Sequence, residues 1–482
     1  MAKKAGLPTH DHWPPSVRWL PQLVDKYRQT ILIAILAFAF VTRVYRLDQP
    51  ATYIFDEVYH SVTAKLIARN DPRAYEWWNP PVEPNTAVDW LHPPLAKYTQ
   101  ALAMLIFGEN AFGWRISSVM FGVMVIYAVY ALSKELFEDE VLSLLAALLA
   151  SLDGLLLVQS RIAMNDIHVT FFILLTLLAY VQFRKHLNTS PNLQLGSPSF
   201  KRLLWTGLAG GLAMGSKWSG VFAIGIVGLC ELWRLASLFY AGSIATKTTH
   251  LRQLSSELTH GLKAVILTLV FLPISLYFLS YSHMFLQGKD LAHFQELHRQ
   301  IWWYQTHLTA THGYQSRPFE WFLNLRPVWY HVQYSEGGQI ANIYAQGNTA
   351  LFWSGAVVAI LTGFYFVYLY VALPLRRPPA RELIALWFTF MAYCLVWVLW
   401  IRSPRIMFFY HYTPAVPLMC ILLSYWLVKL ARSWDDQRSA WLSTLVVLAI
   451  ALNFVVWYPN WTGIPVSTDW ANQVYFALPS WK

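Results

Sequence analysis

Apolar runs of membrane-crossing length recur along almost the whole chain, and the polar residues gather between them. A helix needs roughly 17–25 predominantly apolar residues to cross a bilayer. On that measure the pattern predicts about eleven spans. They lie near 29–47, 113–132, 140–158, 166–183, 203–216, 219–240, 262–281, 349–373, 383–401, 406–428 and 441–458. The fifth is short and glycine-rich, reading "GLAGGLAMG". The first run is too long for a signal-peptide core and lacks a small-residue cleavage site, so it is expected to remain as an anchor. No internal repeat or low-complexity tract interrupts the pattern.

Basic residues between the runs give the orientation, because short inner loops collect Lys and Arg. Lys3, Lys4, Arg18, Lys26 and Arg28 precede the first run, and Arg184, Lys185, Lys201 and Arg202 separate the fourth from the fifth. Arg376, Arg377 and Arg381 follow the eighth, and Lys429, Arg432 and Arg438 follow the tenth. An odd number of spans puts all of these on one side, with the N-terminus inside and the C-terminus outside. Two long outer loops result, at 48–112 and 282–348. The first contains "HPPLAKYTQALAMLIFG", where paired prolines open a helix too short to span, as expected of one lying along the surface. The second is rich in His, Trp and Tyr and reads as folded, yet too small for a sizeable independent domain. A single transmembrane catalytic domain over 1–482 is expected.

Composition sharpens the class. Of 482 residues 56% are hydrophobic and only 13% charged, with 24 Trp, 26 Tyr and 28 Phe. That is too little charge for a soluble protein of this size, and the aromatic excess suits rings at the two membrane–water interfaces. The net charge of +10 fits an inner-face basic bias, and the basic residues form no long cluster of the kind a nucleic-acid partner needs. Cys230, Cys394 and Cys420 sit in apolar runs with no metal-ligand spacing.

The ionisable residues outside the inner loops carry the chemistry. "YIFDEVYH" places Asp56 and Glu57 side by side just after the first span. Asp56, Glu57, His60, His92, Lys97, Arg115, Arg161, Asp166, Lys217, Arg402, Arg405 and His411 all fall at or near outer span ends. Charges close to lipid are costly and point into protein or a watery cavity, so their gathering at one face suggests one site. Adjacent helical residues diverge by about 100°, so the two acids are expected to have different tasks. A buried salt bridge or helix cap is the alternative for the acids, and a pairing of Arg161 with Asp166 is the alternative for those two. Cations and a carboxylate at membrane depth suit a sugar carried on a lipid phosphate. Arg and Lys hold the phosphate, its departure needs neutralisation rather than protonation, and one base to deprotonate the attacking hydroxyl suffices. Direct displacement inverts the anomeric centre. His60 and His92, with the two acids, match no closed metal site, so no metal is expected.

The set "FDEVYH", "DWLHPPLAKY", "GWRISSV", "DGLLLVQSRIAMNDI", "GLAMGSKWSGVF" and "RIMFFYHYTPAVP" resembles the dolichyl-phosphate-mannose–protein mannosyltransferase family, over residues 45–430. The resemblance implies an all-α polytopic GT-C glycosyltransferase fold and a polyprenyl-phosphate mannose donor. It further implies Asp56 as the base activating a Ser or Thr hydroxyl and Glu57 as its partner acid. Arg115, Arg161, Lys217 and Lys97 become donor-phosphate candidates, and His60, His92, Asp166, Arg405, His411 and Tyr412 line the site. The 282–348 loop has no room for the β-trefoil of eukaryotic members, which points to a bacterial-type member. Asn165 precedes Asp166 where the family pattern has an apolar residue. The implied partners are membrane lipid, the lipid-linked donor and an acceptor polypeptide. The implied location is a cell inner or plasma membrane, with the site on its outer face. The same fold serves transfer to lipids or envelope glycans, which leaves that acceptor as the alternative. A transporter or flippase is disfavoured, since it would place broken helices and polar residues at the midplane of repeated halves.

Overall fold

The computed structural model describes residue 13 and residues 18–244, 248–372, 380–433 and 437–482. Lys3, Lys4, Arg376 and Arg377, used above for orientation, lie outside the described residues. In chain order the first helices are α1 (Trp19–Val44), α2 (Glu57–Ala68), α3 (Leu95–Phe107), α4 (Ala111–Phe137), α5 (Glu140–Ser151), α6 (Gly154–Gln159) and α7 (Asp166–Thr189). Then come α8 (Pro198–Ser216), α9 (Val221–Ser243), α10 (Thr248–Val265), α11 (Leu272–Ser280), α12 (Ser282–Leu286), α13 (Leu291–His307) and α14 (Pro318–Trp321). The hairpin β1 (Val328–Ser335) and β2 (Gln339–Ala345) precedes α15 (Thr349–Ala372), α16 (Arg381–Val398), α17 (Ala415–Ser433), α18 (Gln437–Thr462) and the short β3 (Val466–Ser467).

Nine helices among the described residues are long and apolar enough to cross a membrane. Two expected spans fold differently. The 140–158 run breaks into α5 and α6, because Asp153 caps α6 through Leu156 N at 2.7 Å and also accepts from Asn348 N at 3.1 Å. A side-chain cap stops one helix and starts another. The glycine-rich run is the C-terminal part of α8, whose first turns carry Lys201 and Arg202, and α8 is not among the nine. The other large difference is in the 282–348 loop. A chain expected to be all-α there carries an antiparallel sheet of order β1-β2-β3. The β-branched and aromatic run "VWYHVQYS" has strand character that its neighbouring helices mask.

The chain packs as two compact units. One comprises Met1–Glu57, Asn110–Ala163 and Gln305–Lys482. Its centre is α17, buried along most of its length and packed on α5, α16, α18 and α15, while α1 packs on α4 and α5. The other comprises Val58–Glu109 and Met164–Tyr304, with α7 lying along α8 and α8 against α11. In that unit a Cβ on Gly207 would fall on the Thr268 carbonyl oxygen. Backbone cannot swing aside as a side-chain tip can. Gly207→Ala gains about 1 kcal/mol of helix propensity but forces the helices apart, an overpacking cost of about 1–3 kcal/mol. We expect a lower melting temperature for Gly207→Ala in detergent, read by fluorescence-detected size-exclusion chromatography.

Candidate active site

The turn carrying the paired acids is held open by one ion pair. Phe55 adopts φ +46°, a left-handed conformation that costs a bulky residue energy, and so turns the chain between Ile54 and the start of α2. Asp56 stands in that turn, half-buried, and Glu57, the first residue of α2, is completely buried. The Glu57 carboxylate accepts from Arg115 Nε and Nη2 at 2.8 Å each, from Ile54 N at 3.0 Å and from Ala163 N at 3.1 Å. Arg115 Nη1 also donates to the carbonyls of Leu47 at 3.0 Å and Pro50 at 2.8 Å, and Nη2 to Thr52 at 3.0 Å. All five guanidinium protons are thereby used. Arg115 ties α4 to the 47–57 segment and has none left for a phosphate, and Glu57 is likewise enclosed.

Arg161 is also engaged. Its Nη1 donates to the carbonyls of Arg43 at 2.6 Å and Tyr45 at 2.7 Å, with longer contacts to Thr42 and Arg46. These are the orphan carbonyls at the C-terminus of α1, where a cation is favoured. Asp166 does not pair with Arg161 as the sequence allowed. Lys217, which follows α8, donates to Asp166 at 2.7 Å, and both are buried. His168 bonds Thr99 and the Met164 carbonyl, a satisfied side chain.

A second buried cluster centres on Asp89, which the sequence reading passed over. Its Oδ1 lies 3.0 Å from His92 Nδ1, and its Oδ2 lies 2.8 Å from His60 Nδ1 and 2.9 Å from Lys97 Nζ. Lys97 also donates to the carbonyls of Asp89 at 2.7 Å and His92 at 2.9 Å, which closes the proline turn before α3. The available signal was the spacing in "DWLHPPLAK", with an acid three residues before His92 and eight before Lys97. Ligand atoms of His60, Asp89 and His92 converge within 4.8 Å. Lys97 already supplies the positive charge a metal would bring, and a dication beside its buried ammonium would be repelled. Burial alone would raise the Asp89 carboxyl, but Lys97, His92 and His60 outweigh it and hold it well below the usual range.

A third constellation lies in 308–320 and 401–412. Arg405 lines a mixed polar and apolar cleft of about 710 Å³ with Gln315, Arg317, Glu320, Phe319 and Ile401. Its Nη2 reaches His411 Nε2 at 3.4 Å, while its buried Nε has no hydrogen-bond partner among the described residues. His411 donates from Nδ1 to the Phe408 carbonyl at 2.9 Å, stacks on Tyr410 and is edge-on to Trp400. Tyr412 is buried, its hydroxyl 2.6 Å from that of Tyr393. Rings link His411 to the acidic turn, because Tyr410 sits edge-on to Phe55 with centroids 5.9 Å apart. Arg402 is exposed.

Membrane-spanning helices, a half-buried aspartate beside a locked glutamate, and an arginine lining a cleft define a multi-pass membrane protein with ionisable groups gathered at few places. The comparisons place it more closely. Residues 33–287 match the dolichyl-phosphate-mannose-protein mannosyltransferase family, and residues 290–481 match the C-terminal four-transmembrane region of protein O-mannosyltransferases. The chain belongs to that family. It is 26% identical to a polyprenol-phosphate-mannose–protein mannosyltransferase of Corynebacterium glutamicum, over 97% of this chain and 95% of that one. It is 24% identical to one of Mycobacterium tuberculosis, over 95% and 93%. Its fold is similar to that of the Saccharomyces cerevisiae Pmt1–Pmt2 complex bound to the sugar donor, with TM-score 0.74, 14% identity and coverage of 92% and 91%. ArnT of Cupriavidus metallidurans bound to undecaprenyl phosphate gives TM-score 0.53 at 14% identity, over 91% and 76%. The GT-C architecture expected from the sequence is thus the one found.

Two predictions follow from the geometry. Glu57→Gln keeps the shape but leaves the Arg115 charge buried without a counter-charge, a loss of about 3–5 kcal/mol. Folded yield and melting temperature should fall with activity, not activity alone. Burial pushes the His92 imidazole down to about 4 against the pull of Asp89, although 19% of the side chain remains exposed and tempers the effect. The folded protein thus binds this proton less readily than the unfolded chain does. Its contribution is complete above an ordinary value of 6.5 and is lost as pH falls from there toward about 4. Melting temperature measured across that window should decline, and His92→Asn should flatten the decline.

Proposed function

We propose that the protein transfers mannose from a polyprenyl-phosphate carrier to Ser or Thr hydroxyls of polypeptides, with inversion at the anomeric carbon. The family and the names of its relatives support the donor and the acceptor. The observation that carries the mechanism is the division of labour within "DE". Glu57 is enclosed by its bonds to Arg115 and two backbone amides, while Asp56 stands half-buried in the same turn, and the family resemblance gives Asp56 the part of the base.

In this reading Asp56 takes the proton of the acceptor hydroxyl as its oxygen attacks the anomeric carbon. The bond from that carbon to the phosphate oxygen breaks, and the phosphate leaves with the electron pair. Arg405 in its cleft neutralises it, in place of Arg115, Arg161, Lys97 and Lys217, whose donors hold the fold together. A guanidinium with an unpaired Nε suits the planar, two-point recognition of a phosphate. The Asp89 cluster is electrically complete with Lys97, and no metal is proposed in the reaction. The basic inner loops favour an inside N-terminus and an outside C-terminus, with the site on the outer face of a plasma or inner membrane.

The test uses the purified protein in nanodiscs with polyprenyl-phosphate mannose labelled in the sugar. Ser/Thr peptides and an envelope lipid extract are offered separately. Asp56→Asn should lower kcat by about 10²–10⁴-fold with an unchanged melting temperature. Arg405→Gln should instead raise the donor KM by about 10-fold or more. Label reaching lipid alone would replace the polypeptide acceptor.

A further inference from the structure

The strand β1 is the edge of its sheet, since the strand order is β1-β2-β3. Its partner β2 is buried along almost its whole length, whereas β1 is exposed from Val332 to Ser335. Edge strands are ordinarily blunted by Pro, Lys, inward charges or shortness. "VWYHVQYS" has eight residues and no proline, lysine or acid. Alternate N–H and C=O groups of this strand point away from β2, and the exposed part, Val332 to Ser335, is about 13 Å long. Val332 and Tyr334, two residues apart and so on the same face, are both exposed, Tyr334 by 67%.

The buried end of this strand meets the acidic turn through one side chain. The ladder shifts register between Trp329 and His331, and the bulged residue Tyr330 is buried. Its ring stacks on Phe55 at 4.2 Å between centroids, with an interplanar angle of 18°. Gln159 Nε2 donates to its hydroxyl at 2.7 Å, which fixes the ring. Phe55 immediately precedes Asp56. One face of Phe55 thus meets a side chain of β1, while Tyr410, stacked on His411, meets it edge-on. A bulge beside a working residue is a common way to aim a strand at a site.

We infer that the free edge of β1 is the docking track for the acceptor. An extended polypeptide adds to it as a fourth strand, which brings a Ser or Thr near the bulge to Asp56. The inference rests on the polypeptide-acceptor reading above. Main-chain hydrogen bonds would supply affinity whatever the acceptor sequence, and the Val332 and Tyr334 face would bias which side chains flank the modified residue.

The experiment uses the full-length protein in nanodiscs, labelled polyprenyl-phosphate mannose and peptides carrying a single Thr. In each peptide one backbone amide near the Thr is replaced by an ester, which removes one N–H donor. Strand addition requires a two-residue alternation: esters at every second position raise peptide KM about five-fold, and those between have little effect. Val332→Pro and Gln333→Pro remove adjacent N–H groups that point to opposite edges of β1. The variant facing away from β2 should raise peptide KM with the donor KM unchanged, and the other should lower the melting temperature. Equal sensitivity at all peptide positions, or none, overturns strand addition while leaving the transferase reading intact. Failure to label any peptide, with label passing to lipid, overturns both.

Discussion

The buried pair between Glu57 and Arg115 is the constraint from which the acidic turn takes its shape. Charges are expensive inside protein unless every lone pair and proton finds a partner. Here the carboxylate takes four hydrogen bonds and the guanidinium gives five. The result gathers the 47–57 segment, the start of α2, the Ala163 amide and α4 around one point. Phe55 can then hold its left-handed backbone, and Asp56 is displayed at a fixed place.

Other buried cations act in the same way. Arg161 satisfies the end of α1, Lys217 holds Asp166, and Lys97 locks the proline turn through Asp89. Each neutralises a charge or a helix end within its own compact unit, so these segments are held by polar contacts. Arg405 differs from these cations, since its buried Nε has no hydrogen-bond partner among the described residues.

Much of this was legible in the sequence. The periodicity of apolar runs marks the helices, and the adjacency of Asp56 and Glu57 marks the turn. Divergence of adjacent residues on a helix already implied unlike tasks for the two acids. Which cations face substrate was not legible, because an arginine that caps a distant helix and one that lines a cleft look alike in one dimension. Arg115 and Arg405 differ only in which carbonyls and carboxylates the fold brings to them. Asp89 is legible only in part, because His92 and Lys97 follow it closely in sequence whereas His60 lies on α2, far from it along the chain. Asp153 in "SLDGLL" carries a turn or cap signal, which the apolar residues on either side outweigh when 140–158 is read as one span, and the strand character of 328–345 is masked by the helices around it.

The unguarded edge of β1 has a consequence for the life of the protein before it meets any substrate. A strand that recruits one chain by its backbone does not discriminate against others, including another copy of itself. Eight residues without proline, lysine or acid are a template for self-association whenever they stand uncovered at high concentration. During synthesis and insertion the same edge is open to any passing nascent segment. Keeping such a surface productive is therefore a matter of crowding and timing as much as of chemistry. The cell must keep that edge supplied with clients or keep the protein dilute.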